Sequence, residues 1–287
     1  MLTQQDKGAA FAALHERPEA FIIPNPWDIG SARMLAHAGF MALATTSAGF
    51  AFSMGRGDGA VGREQMLAHV SAIAGATDLP VSADLENGFG DDAEIVTATI
   101  ALAADAGAVG GSIEDVSRRP QARIYDLSHA VDRIRAAAAA ARALPFRFML
   151  TARAENFIAG RPDLADTIAR LQAYQDAGAD VLYAPGLTTL DRIATVVRSV
   201  DRPVNVLMGL PHVALDRAAL SAQGVRRISI GSALARAAYG ELLRGAREMG
   251  ERGTFTFADR AASSRDVTAL LEIGGGGTGL EDGSPAR

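Results

Sequence analysis

The sequence contains no cysteine and a single lysine, Lys7, close to its start. Without a thiol there is no thiolate nucleophile, base or soft metal ligand. Without a lysine inside the fold there is no Schiff base to form with a carbonyl substrate. Basic charge is also short: 28 Lys and Arg against 33 Asp and Glu leave a net charge of −5, which gives no footprint for nucleic acid or an anionic membrane. No run of about 18 apolar residues marks a transmembrane helix. The opening residues lack the basic-then-apolar pattern of a secretion signal, so the expected location is the cytoplasm. Any anionic partner must then be held by local arginines, and the chemistry must come from carboxylates, with a divalent cation as their natural companion.

What is present is alanine-rich helical sequence that repeatedly ends in glycine and passes at once into a short apolar run. Gly39, Gly107, Gly178 and Gly224 read as left-handed residues closing helices. Runs near residues 20–25, 41–47, 80–86, 109–115, 146–153, 180–185, 203–208 and 227–231 make eight strand candidates separated by helical patterns. Eight such units predict an α/β chain of the (β/α)8 TIM barrel type, with a catalytic domain over residues 1–262. A doubly wound sheet is the alternative, but no glycine-rich dinucleotide fingerprint follows the first strand. Residues 233–272 carry more amphipathic helix than closing a barrel requires. Residues 263–273 therefore read as a helical extension, and the glycine-rich 274–287 as a flexible tail.

In a barrel of this kind the reactive groups gather where strands end. The strand candidates end in Thr45-Thr46-Ser47, Asp84-Leu85-Glu86, Glu114-Asp115, Arg153-Ala154-Glu155, Pro185-Gly186 and Gly231-Ser232. A single acidic residue at such a place is usually a solvated cap, and Asp58 in a Gly-Arg-Gly-Asp-Gly run would alone be a turn residue. Asp115 reads as structural, and Arg153 could pair with Glu155 or Asp115. His15, His37, His69 and His129 fall within helical patterns, while His212 follows the seventh strand, where it could line the site.

The segments Asn25-Pro-Trp-Asp28, Val81-Ser-Ala-Asp-Leu-Glu-Asn-Gly-Phe-Gly90, Ser112-Ile-Glu-Asp115, Thr151-Ala-Arg153 and Pro203-Val-Asn-Val-Leu207 resemble the isocitrate lyase and phosphoenolpyruvate mutase superfamily over roughly residues 8–262. The resemblance implies a Mg²⁺-dependent enzyme, with Mn²⁺ as a substitute, that makes or breaks a C–C or P–C bond next to a 2-oxo or 2-hydroxy acid through a metal-stabilised enolate. It implies Asp84 as the direct metal ligand, with Glu86, Glu114 and Asp58 holding the metal's waters. Arg153 matches the arginine that grips the substrate carboxylate. Thr46, Ser47, Ala48 and Asn205 would complete the substrate pocket. Helix exchange between subunits is implied as well, giving a homodimer or homotetramer.

The departures from the family narrow the chemistry. The lyase loop of the Lys-Lys/Arg-Cys-Gly-His type is replaced here by residues 116–125, with neither cysteine nor lysine, so a thiol-dependent mechanism is excluded. This segment instead carries Arg118, Arg119 and Arg123 about Pro120, and the expectation is a lid whose Arg118 and Arg119 complete the catalytic set with Arg153 and Glu114. Phosphonomutase activity is the alternative reaction, weakened by Ala184-Pro185-Gly186 after strand six. A barrel that only binds metal and oxo acid is the non-enzymatic alternative. Mg²⁺-assisted C–C cleavage or decarboxylation is the preferred reading.

Overall fold

The computed structural model describes residues 2–119 and 122–272, without the side chains of Arg118, Arg119 and Ala122. The short apolar runs become strands β1 (Phe21–Ile23), β2 (Leu43–Ala44), β3 (Val81–Asp84), β4 (Gly110–Glu114), β5 (Val116–Arg119), β6 (Ala122–Ile124), β7 (Met149–Arg153), β8 (Val181–Tyr183), β9 (Val204–Leu207) and β10 (Arg227–Ser229). Eight of them pair in parallel in the order β1-β10-β9-β8-β7-β4-β3-β2. The two ends of that order meet: the Ala44 amide donates to the Pro24 carbonyl at 3.0 Å. Asn25 clamps the same seam, donating from Nδ2 to the Thr45 carbonyl at 3.0 Å. Its Oδ1 accepts from the amides of Ile230 and Gly231, both at 2.9 Å. The sheet thus curls on itself into a (β/α)8 barrel.

The helices between strands end as their glycines predict. Gly39, Gly107, Gly178 and Gly224 have φ of 84°, 95°, 108° and 88°, a region open to glycine because it has no Cβ. Apolar side chains from strands and outer helices, among them Leu85, Ile100, Ile113, Leu150, Leu171 and Ile193, are fully or almost fully buried and form the main core. Each such side chain contributes roughly 1.5–3 kcal/mol on burial.

The N-terminal end of the barrel is plugged by the helix Gln4–Glu16, started by a reciprocal Thr3–Asp6 capping box. Phe11 and Leu14 pack there against Phe21, Ile23, Val109 and Met149. The helix can lie this close because Gly8 has no side chain: a Cβ there would stand 2.4 Å from the Arg147 carbonyl oxygen. Above this apolar plug the barrel interior turns polar, with Ser82, Ser112, Asn205, Arg227 and Ser229 lining a cavity.

The structure departs from expectation in two places. The second strand stops at Ala44, and Thr46 caps a new helix, Ser47–Ser53, by accepting from the Gly49 amide at 3.2 Å. Residues 116–124 form an antiparallel β5–β6 ribbon with a register shift, anchored by buried Ile124 paired with Val116, where a loop was expected. Residues 120 and 121 of the expected lid, including Pro120, lie outside the described residues, as does the 274–287 tail. After the helix Ala233–Arg252 and a 3₁₀ turn, the last helix, Ser264–Glu272, lies against Ile29–His37 of the same chain. No helix among the described residues is long and apolar enough to cross a membrane.

Candidate active site

Three strand ends converge on one guanidinium. Arg153, ending β7, donates from Nη1 to Asp84 Oδ1 at 3.1 Å, from Nη2 to Glu114 Oε2 at 3.1 Å and from Nε to Glu155 Oε1 at 2.8 Å. Asp84 and Glu114 end β3 and β4, so parallel register brings all three ends to one level: Asp84 stands beside Ser112, and Glu114 beside Arg153. Asp84 is fixed further, accepting from the Ser47 amide at Oδ2 (3.0 Å) while its own amide donates to Thr45 Oγ1 (2.8 Å). Ser47 Oγ reaches Asp58 Oδ1 at 3.4 Å. Glu86 is buried with φ 49°, a left-handed conformation uncommon for a side-chain-bearing residue. Its carboxylate faces Gly59, next to Asp58. The ring of Tyr183 lies 5.1 Å from the Arg153 guanidinium carbon, within cation–π range.

Negative charge is in excess around this arginine. Burial raises the Asp58 pKa, and repulsion from Asp84 adds to it. Burial also pushes Glu114 well above the ordinary carboxylate range, opposed by Arg153 and reinforced by Glu155, Asp84 and Glu86. Burial alone would lower the pKa of Arg153; Glu155, Glu114 and Asp84 overcome that and hold it protonated. The Tyr183 phenol is pushed up to about 12, chiefly by burial. Hard carboxylate oxygens with surplus charge suit a divalent cation such as Mg²⁺. Among the described residues, however, no three His, Asp or Glu side chains stand close enough to form a ready-made metal cage, because Arg153 draws Asp84 and Glu114 to its own nitrogens. This arrangement fits one direct carboxylate ligand with water-linked neighbours better than an all-protein cage.

A cavity of about 310 Å³ opens at this end of the barrel, lined among others by Thr46, Ser47, Ala48, Asp58, Asp84, Arg153 and Asn205. Seven expected site residues therefore share one pocket. Glu86 and Glu114 are not on its wall; Glu114 meets it through Arg153. The backbone amide of Ser47, a residue expected to bind substrate, is already engaged by Asp84. The side chains of Arg118 and Arg119 lie outside the described residues, and His212 is not on the cavity wall. Asn205 is engaged on both sides, by Ser229 Oγ at 2.9 Å and Arg227 Nε at 2.9 Å.

Glu155 and Tyr183 are site residues that sequence reasoning underrated. The signal for both was two-residue spacing from an inward position and pairing with it: Glu155 follows Arg153 by two, and Tyr183 pairs with Arg153 across β8. Asp115 is structural as expected, but its partner is Arg170 (3.0 Å), with Tyr174 Oη at 2.6 Å and the Glu155 amide at 2.8 Å. It thereby fixes the backbone that carries Glu155.

Fold and site together define a (β/α)8 barrel of the enzyme type, its acidic centre at the C-terminal ends of the strands. The family model for phosphoenolpyruvate phosphomutase matches residues 11–250, and the chain belongs to the phosphoenolpyruvate mutase/isocitrate lyase superfamily. It is 32% identical to an uncharacterised protein of Mycobacterium tuberculosis over 226 residues, 78% of this chain and 82% of that one. It is 32% identical over 191 residues to 2-methylisocitrate lyase of Salmonella typhimurium, 64% of this chain and 63% of the lyase. A provisionally named lyase/mutase from Burkholderia cenocepacia superposes with a TM-score of 0.92 at 59% identity, covering 94% of this chain and 97% of its own.

Proposed function

We propose that this protein is a divalent-cation-dependent enzyme that breaks or forms a carbon–carbon bond beside a 2-oxo or 2-hydroxy acid, as a lyase or an oxo-acid decarboxylase. The observation that carries this reading is the Arg153 guanidinium set among Asp84, Glu114 and Glu155 at the mouth of a closed-walled pocket. Similarity to a 2-methylisocitrate lyase supports it. With no thiol and no lysine inside the fold, developing charge has to be met by fixed cations and dipoles.

Asp84 would hold Mg²⁺ or Mn²⁺ directly, with Asp58, Glu86 and Glu114 acting through water; bound there, the cation supplies a Lewis acid against negative charge developing on the 2-oxo oxygen. Arg153 offers a planar fork to the substrate carboxylate, which a point charge could not match. Thr46 and the backbone at Ala48 position the same end of the acid. Glu155 and Tyr183 keep the guanidinium oriented between turnovers.

The family model's description favours one second reading, phosphorus–carbon rearrangement of the phosphonomutase kind. One experiment separates the two. Oxaloacetate, methylisocitrate and phosphonopyruvate are offered with and without Mg²⁺, and pyruvate release and phosphorus NMR are followed. Pyruvate released from a carbon substrate only with metal, and lost in Asp84→Ala, supports the first reading. Conversion confined to phosphonopyruvate supports the second.

A further inference from the structure

Below the acidic cluster the barrel holds a second arginine that the proposed chemistry does not use. Arg227 opens β10 and reaches across the interior: Nε donates to Asn205 Oδ1 at 2.9 Å, and Nη2 donates to Thr151 Oγ1 at 3.0 Å on β7. Only 5% of the residue is exposed. Both partners are neutral, and among the described residues no carboxylate lies within ion-pair distance of it. Nη1 is buried and makes no hydrogen bond. A guanidinium stripped of water and left without a counter-charge is costly, and cations so placed are normally paired. Burial accordingly lowers its pKa to about 10.

The surroundings say what would pair with it. The cavity that begins at Asp84 and Arg153 descends to Arg227, with Ser82, Ser112 and Asn205 on the way. The apolar plug of Phe11, Phe21 and Met149 closes the barrel end, so the approach is from the mouth. At the mouth Asp84 and Glu155 are turned to Arg153, and Asp58 lies beside Ser47 Oγ. A neutral water on the cavity floor would leave the charge unpaired.

We propose that the floor of this cavity is a small-anion subsite in which the Arg227 guanidinium binds either a free anion of halide size or a carboxylate of a bound acid. In the second case the carboxylate is the one remote from Arg153. That arm alone rests on the proposed function; the free-anion arm needs neither metal nor turnover.

The test is thermal unfolding of the full chain as sodium chloride replaces sodium isethionate at constant ionic strength, without divalent metal. The wild type and Arg227→Lys should show a saturable rise in Tm of about 2–4 °C, the effect of a ligand bound only by the native state. Arg227→Met should show none. A flat response in the wild type, or an equal one in Arg227→Met, overturns the proposal. Should Arg227→Met fail to fold, anomalous scattering from bromide-soaked wild-type crystals decides: a peak on the cavity floor beside the Arg227 guanidinium supports the subsite, and bromide found only elsewhere overturns it. Repeating the chloride titration with succinate and with pyruvate separates the sources. Loss of the chloride response with succinate but not pyruvate assigns the subsite to a second carboxylate, and its persistence with both assigns it to a free anion. Because none of these readouts needs catalysis, the subsite and the proposed activity can fail independently.

Discussion

Arg153 gives each of its three nitrogens to a different acid, at 3.1, 3.1 and 2.8 Å, with its side chain 16% exposed. Lysine at this position keeps a charge but reaches one acid at a time. Arg153→Lys should therefore lower kcat/KM on the best substrate by at least tenfold, about 1.4 kcal/mol of transition-state stabilisation. Arg153→Met should cost roughly 3–5 kcal/mol of stability in urea unfolding, because it leaves buried carboxylates without their counter-charge. Asp115→Asn should be similarly destabilising, since Arg170 and Tyr174 both depend on that carboxylate. At this scale the acids were legible because several successive strand ends carry ionisable residues together, where one alone would read as a solvated cap. Arg227 was not: within Val225-Arg-Arg-Ile-Ser-Ile230 nothing but the two-residue alternation with Ser229 distinguishes an inward arginine from its exposed neighbour.

The N-terminal helix is the element most open to test. Gly8→Ala places a Cβ 2.4 Å from the Arg147 carbonyl oxygen. The helix must then shift off the barrel floor, at an expected cost of about 1–3 kcal/mol, measurable by denaturant midpoint. His15 on the same helix packs edge-on to Phe11 and Phe21, and its Nδ1 contacts the Phe11 carbonyl at 2.8 Å. Burial lowers its pKa from 6.5 to about 3, with Arg227 and Arg147 opposing protonation and the Phe11 contact favouring it. The unfolded chain takes up this proton as pH falls through 6.5, whereas the folded chain does so only near 3. The contribution is thus whole above pH 6.5 and is lost progressively below it, at up to about 1.4 kcal/mol per pH unit. His15→Leu should flatten the stability profile between pH 6.5 and 5 by about one proton, read from urea unfolding at each pH. An identical slope in both proteins would show that His15 is not held neutral.

Element by element, all eight barrel strands could be read from their apolar runs, and at β2, β4, β8 and β10 a second, independent signal, the glycine closing the preceding helix, agrees. Thr46 was placed at the end of a strand because Thr45-Thr46 has strand-forming residues, yet its hydroxyl prefers to cap the helix that follows. The β5–β6 ribbon was missed for a comparable reason. Three arginines over residues 116–125 look solvated, and only Val116 and Ile124 reveal the pairing.

Across the whole molecule, the longest helix among the described residues, Ala233–Arg252, and the turn after it expose Leu242 at 65%, Leu243 at 56% and Phe255 at 67%. Exposed apolar side chains of this size suit an interface, and the family resemblance implies a homodimer or homotetramer. Leu242→Glu combined with Leu243→Glu should lower the mass in sedimentation equilibrium. An unchanged mass would place the interface elsewhere.

The central claim is a metal-dependent site for planar oxo acids built on Asp84 and Arg153. Oxalate, a planar dianion resembling the enolate of pyruvate, tests it most directly in a calorimetric titration into the full chain with Mg²⁺, into the chain stripped with EDTA, and into Asp84→Asn with Mg²⁺. The account predicts saturable one-site binding in the first case and none in the other two. Oxalate binding that survives metal removal or the loss of the Asp84 charge, or its absence from all three, would contradict it.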